Sequence, residues 1–159
     1  MTAIMRISIL RIVLAFLCAV ALFGCHPSFP ILTGQQFQFQ ENTESQMTQV
    51  YIYRTLSPPT QRSPDVMING KKYFDLKAGG FGKILLSPGE MLIGTKWSWD
   101  TGVEDKSVSL LTEPGQTYFV RCHTEMWGMT FQSTLKVVRK ITALDELEGF
   151  KELENLSNQ

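Results

Sequence analysis

The sequence predicts a mainly β fold: an antiparallel β-sandwich of about eight short strands with a C-terminal amphipathic helix. Three observations predict it. From Thr48 onward, turn-forming residues recur every roughly eight to twelve positions. The runs between them are rich in β-branched and aromatic residues. From Thr142 the spacing of apolar residues becomes helical.

The elements follow in order. Val50 to Tyr53 is the first strand. Leu56 to Pro64 contains Pro58, Pro59 and Pro64 and reads as a loop, because proline cannot donate to a central ladder. Asp65 to Ile68 and Lys71 to Leu76 flank Asn69-Gly70, a hairpin signal because a type I′ turn needs positive φ at both positions. Strands are expected at Gly82 to Ser87, Met91 to Trp99, Ser107 to Leu111, Thr117 to Thr124 and Thr130 to Val138. Pro88-Gly89, Asp100-Thr101-Gly102, Pro114-Gly115 and Met126-Trp127-Gly128 separate them. In the tail, Ala143, Leu144, Leu147, Phe150, Leu153 and Leu156 alternate with charged residues, which predicts an amphipathic helix capped by Thr142 with Asp145 three residues on. It lies on the domain, or else offers its apolar stripe to a partner.

The chain begins differently. Arg6 and Arg11 precede an uncharged apolar run from Ile12 to Phe23. That run has the length of a signal-peptide core and is short of the roughly twenty residues a membrane span needs. Leu22-Phe23-Gly24-Cys25 follows and resembles the lipobox of bacterial lipoproteins. Leu22 stands at the aliphatic position, Gly24 is the small residue before the cut, and Cys25 supplies the thiol for a thioether to diacylglycerol. Phe23 departs from that pattern, which has a small residue there. Two alternatives stay open: ordinary cleavage after Ala19-Val20-Ala21, releasing a soluble protein, and an uncleaved membrane anchor. The organisation expected is a lipoprotein signal peptide over 1–24, a flexible tether over 25–47, and a β-sandwich domain with its helix over 48–159. In the tether, Phe37 and Phe39 alternate with glutamine and offer a short edge strand. The resemblance implies an acylated protein of the bacterial envelope. His26, which is not the aspartate of inner-membrane retention, favours the outer membrane, facing the periplasm.

Formal charge is zero, from 15 basic and 15 acidic residues, so nucleic acid is not an expected partner. Cys18 leaves with the leader and Cys25 takes lipid, so Cys122 stands without a disulfide partner. It reads as a buried thiol; the sharper alternative is thiol or metal chemistry with His123. Against that, neighbours on a strand point to opposite faces. No serine lies in a G-x-S-x-G, and no P-loop or G-x-G-x-x-G is present. The expectation is no catalytic residues, no metal and no cofactor. Trp97 and Trp99 are expected on one strand face, where they either pack inside or, with Trp127, form a ligand or partner contact. Arg54 is expected to anchor a loop carboxylate.

The residues Val50 to Arg54, Val66 to Lys72, Leu76 to Phe81, Ser87-Pro88-Gly89 and Glu113 to Phe119, with the acidic tail, resemble a family of small bacterial lipoproteins whose domain is of unknown function. That family is similar in turn to PEGA-type domains. The resemblance spans roughly Thr48 to Leu153 and implies a small β-sandwich that binds or supports, without catalysis. The expected partners are the membrane, through the N-terminal lipid, and an envelope protein; peptidoglycan or a surface glycan is the alternative.

Overall fold

A computed structural model describes residues 32–154. The expectations for Leu22, Gly24 and Cys25, and for the signal peptide as a whole, lie outside the described residues. Among the described residues there are nine strands and one α-helix. The strands are β1 (Thr48–Arg54), β2 (Asp65–Ile68), β3 (Lys71–Asp75), β4 (Gly80–Leu86), β5 (Gly89–Lys96), β6 (Lys106–Thr112), β7 (Thr117–Trp127), β8 (Thr130–Val138) and β9 (Lys151–Glu152). The helix α1 spans Lys140–Glu146. Each expected strand has a counterpart. The β2–β3 turn has Asn69 at φ 49° and Gly70 at φ 82°, as Asn-Gly in a tight hairpin requires.

The strands form two sheets, ordered β8-β7-β1-β4-β9 and β3-β2-β5-β6. The first sheet is mixed, which corrects the expectation of an entirely antiparallel fold: β1 runs parallel to β7, and β9 parallel to β4. The reason lies in β1. All seven of its residues are buried, and a strand covered on both faces is the kind that accepts parallel neighbours. Val50 and Ile52 point into a core shared with Val66, Ile68, Phe74 and Ile93 of the other sheet. Tyr51 and Tyr53 point the other way, into a second cluster with Phe81, Phe119, Leu147 and Phe150.

That second cluster explains two further corrections. The tether expected over 25–47 is docked from Gln35 onward. Phe37 N–H donates to Phe150 O (2.8 Å) and Glu152 N–H to Gln35 O (2.8 Å). The Phe37 ring stands edge-on to Tyr51 and Phe81, and Lys140 Nζ sits 4.0 Å over Phe39. The Gln-Phe alternation turns both rings onto the sheet. Its pairing with β9 is one isolated bridge, Gln36 to Lys151, and not a full edge strand.

The C-terminal helix is also shorter than expected. It begins at Lys140 after Arg139, with no side-chain cap, so Thr142 does not cap it. Ala143 and Leu147 enter the aromatic cluster. Gly149 then adopts φ 83°, which reverses the chain and delivers Phe150 to the same cluster. Of the apolar residues that mimic a helical stripe, Ala143 and Leu144 lie in the short helix, Leu147 ends it, Phe150 and Leu153 flank β9, and Leu156 lies outside the described residues.

Candidate functional site

One end of the molecule gathers the loops that follow β1, β3, β5 and β7. Arg54, the last residue of β1, is fully buried there. Its Nη1 donates to Arg62 O (2.6 Å), and its Nη2 to Pro59 O (2.6 Å) and Ser57 O (3.2 Å). Arg54 thus holds main-chain carbonyls of the proline-rich loop, correcting the expectation that it anchors a carboxylate. Burial lowers its guanidinium to about 10. Arg54 Cζ lies 4.8 Å from the centroid of the Trp97 ring. Ser57 and Thr124 share a hydroxyl contact of 2.9 Å, and Arg62 pairs with Asp100 at 2.7 Å. The loop is thereby fastened to β7 and to the turn after β5.

The tryptophans do not share a strand face. β5 ends at Lys96, and Asp105 Oδ1 accepts the Trp97 N–H (2.7 Å). Trp97 turns inward beneath Arg54 and is 6% exposed, so it leaves the set of contact candidates. Trp99 begins a 3₁₀ turn, Trp99–Thr101, and is 95% exposed. Trp127 closes β7 and is exposed, together with Met126 and Met129 of the same hairpin. A cavity of ≈ 320 Å³ between Gly102, Glu104 and Lys106 on one side and Thr130 to Ser133 on the other places the Trp99 loop beside that hairpin. The two methionines are contact candidates that the sequence reading missed. The signal for them was the bare Met-Trp-Gly-Met run at a turn, where no inward face exists to bury it.

Cys122 and His123 are not brought together. Cys122 Sγ lies in the core between the sheets, 3.9 Å from Ser133 Oγ. Burial pushes its thiol up, opposed in part by the Arg54 charge and the Ser133 contact. His123 points to the opposite face, where its Nδ1 meets Thr55 Oγ1 at 2.8 Å. A cavity of ≈ 380 Å³ on that face is lined by Thr55, Leu56, Ser57, Arg121, His123, Glu146 and Phe150. Glu146 of α1 accepts from Arg121 Nη1 (2.5 Å) and from Tyr53 OH (2.5 Å). Burial, followed by the Glu146 hydrogen bond, drives the Tyr53 phenol well above its ordinary range. With both carboxylate oxygens so engaged, this cluster clamps α1 onto the sheet. Arg121 could be placed beside His123 from strand alternation, but Glu146 and Tyr53 could not, since they come from elements far apart in sequence.

Among the described residues, no group of three or more His, Cys, Asp or Glu side chains is placed to hold a metal ion. Among them, too, no helix is long and apolar enough to cross a membrane. Compared with known proteins, residues 44–134 match the model of a family described as a protein of unknown function, DUF2846. The match runs from just before β1 into β8, across all of the loop end except the segments that pack on the outer face. No curated protein and no solved structure matches the chain.

Proposed function

The chain belongs to that DUF2846 family, and from this premise we propose that it is a lipid-anchored domain of the bacterial envelope that works by binding rather than by catalysis. In this reading Cys25 carries the lipid, the outer membrane holds it, and the domain faces the periplasm. The two sheets form the layers of a PEGA-like β-sandwich. The favoured ligand is another envelope protein.

The observation that carries the binding role is the outer face of the four-stranded sheet. Leu92 and Leu111 stand exposed there. The register pairs Leu92 with Ser109 and Leu111 with Glu90, and Ser109 Oγ donates to Glu90 Oε1 at 3.1 Å. Apolar side chains rimmed by short polar ones are typical of a contact surface. Photo-crosslinking from position 92 in cells tests it. A discrete crosslinked envelope protein, lost in a Leu111→Asp variant, is the expected result; a ladder unchanged by that variant overturns it. The anchor is tested by the intact mass of the membrane-extracted protein against a Cys25→Ser variant. Cleavage before Cys25 with added acyl chains is expected.

A second reading is favoured by the exposure of Trp99 and Trp127, since aromatic faces stack on sugar rings. Retention on purified peptidoglycan, lost in a folded Trp99→Ala/Trp127→Ala variant, would establish it.

A further inference from the structure

We propose that the end of the molecule bearing Trp99, Met126, Trp127 and Met129 rests on the lipid bilayer, with these side chains in its headgroup region. The inference rests on the acylation of Cys25 for its geometry, but it names a second, separate contact.

The placement begins with where the described chain starts. Leu32 borders a cavity of ≈ 300 Å³ that Asp75, Lys77, Glu152 and Leu153 also line. Asp75 ends β3 and pairs with Asp65, the first residue of β2, which in turn pairs with Lys96 at the end of β5. Leu32 therefore lies at the loop end. Six residues, His26 to Ile31, lie between it and Cys25, a covalent reach of at most about 25 Å over the seven steps. The opposite end, with the Asn69-Gly70 and Pro88-Gly89 turns, is a strand length away, about 26 Å for β5. A lipid on Cys25 would use its whole tether merely to travel down the side of the domain. The loop end is the one a bilayer meets.

The side chains there suit that surface. Arg54 pairs with Cys122, and β7 continues five residues further to Trp127, so the hairpin overhangs the end of β1 by about 16 Å. Its tip carries Met126, Trp127 and Met129, of which Met129 is 99% exposed. Tryptophan prefers the membrane–water interface, where its ring is half-solvated. The charges nearby are largely matched: Arg62 with Asp100, Lys106 with Glu104, and Lys72 with both Asp65 and Asp75. An end of matched charges approaches anionic and neutral lipid alike, so the contact is insensitive to salt. The outer face bearing Leu92 and Leu111 stays free for a protein.

The test uses the full acylated chain in vesicles of phosphatidylethanolamine and phosphatidylglycerol, part of the lipid carrying brominated acyl chains. Tryptophan emission is expected to be quenched, equally at low and high salt. Trp99→Phe and Trp127→Phe each lose part of that quenching, and the double variant loses most of it. The interior Trp97 keeps its emission and reports that each variant is folded. Quenching that is absent, or unchanged in the double variant, while the mass shows acyl chains overturns the contact and leaves the anchor standing. If the mass shows no acyl chains, the anchor fails, and quenching of the unacylated chain decides the contact by its presence or absence. Protection of Trp127 by peptidoglycan fragments or by a crosslinked protein in place of lipid overturns it as well.

Discussion

Arg54 brings its charge to a place where its hydrogen bonds go to main-chain oxygens of Ser57, Pro59 and Arg62. A planar fork spreads its donors over separate nitrogens and so reaches carbonyls that lie apart, whereas an ammonium offers its three donors from a single nitrogen. Arg54→Ala should therefore cost about 3 kcal/mol or more, since it leaves buried carbonyls unpaired. Arg54→Lys should recover only part of this. Urea unfolding measures both, and limited proteolysis within residues 55–62 should accelerate in each. Cys122 gives a second expectation. Its native thiol is held above the ordinary value of 9.0 chiefly by burial. A raised native value means that this group's contribution is fully present below the unfolded thiol's pKa and is lost as pH rises through the native one. At pH 8 the folded protein should resist a thiol reagent, and in urea it should react completely. Rapid native labelling would contradict the buried placement.

At the scale of elements, the C-terminal segment shows what the sequence conceals. Its apolar spacing satisfies a helix through Leu156, and only Gly149 interrupts it. A glycine within a helix and a glycine at a left-handed reversal look the same in one sequence. They differ in response: in a helix, Gly149→Ala would stabilise by about 1 kcal/mol. At φ 83° the same change should destabilise by about 1 kcal/mol or more, although the space around it is open. Thermal unfolding decides the sign. The local signals were legible where chemistry and backbone agree, as at Asn69-Gly70, where both residues take positive φ. Phe37 and Phe39 were not legible as packed residues, because what they cover is assembled from β1, β4 and β7. The fate of Trp97 likewise depends on Arg54, 43 positions earlier in the chain. Of the contact candidates, Trp99 and Trp127 could be named from sequence, whereas their proximity depends on the Trp99 loop lying against β8.

At the scale of the whole molecule, the two sheets meet where Gly82 of β4 faces Phe74 of β3. A Cβ on Gly82 would fall 2.3 Å from the Phe74 ring, so the absence of a side chain sets the sheet separation. Gly82→Ala should destabilise by about 1–3 kcal/mol through overpacking, and Phe74→Leu should relieve part of the cost in the double variant. A double-mutant cycle in urea measures the coupling.

The central position of β1 has a temporal consequence. Among the described residues it is the first strand in chain order, yet its neighbours are β4 and β7, and its parallel partner begins only at Thr117. Nothing translated before that point can complete the middle of the sheet. Until then a nascent chain can pair β1 only with β4. Once whole, it must close its longest loops before the pairing rewards them, so refolding should fall in the slow range of milliseconds to seconds known for domains built on distant contacts.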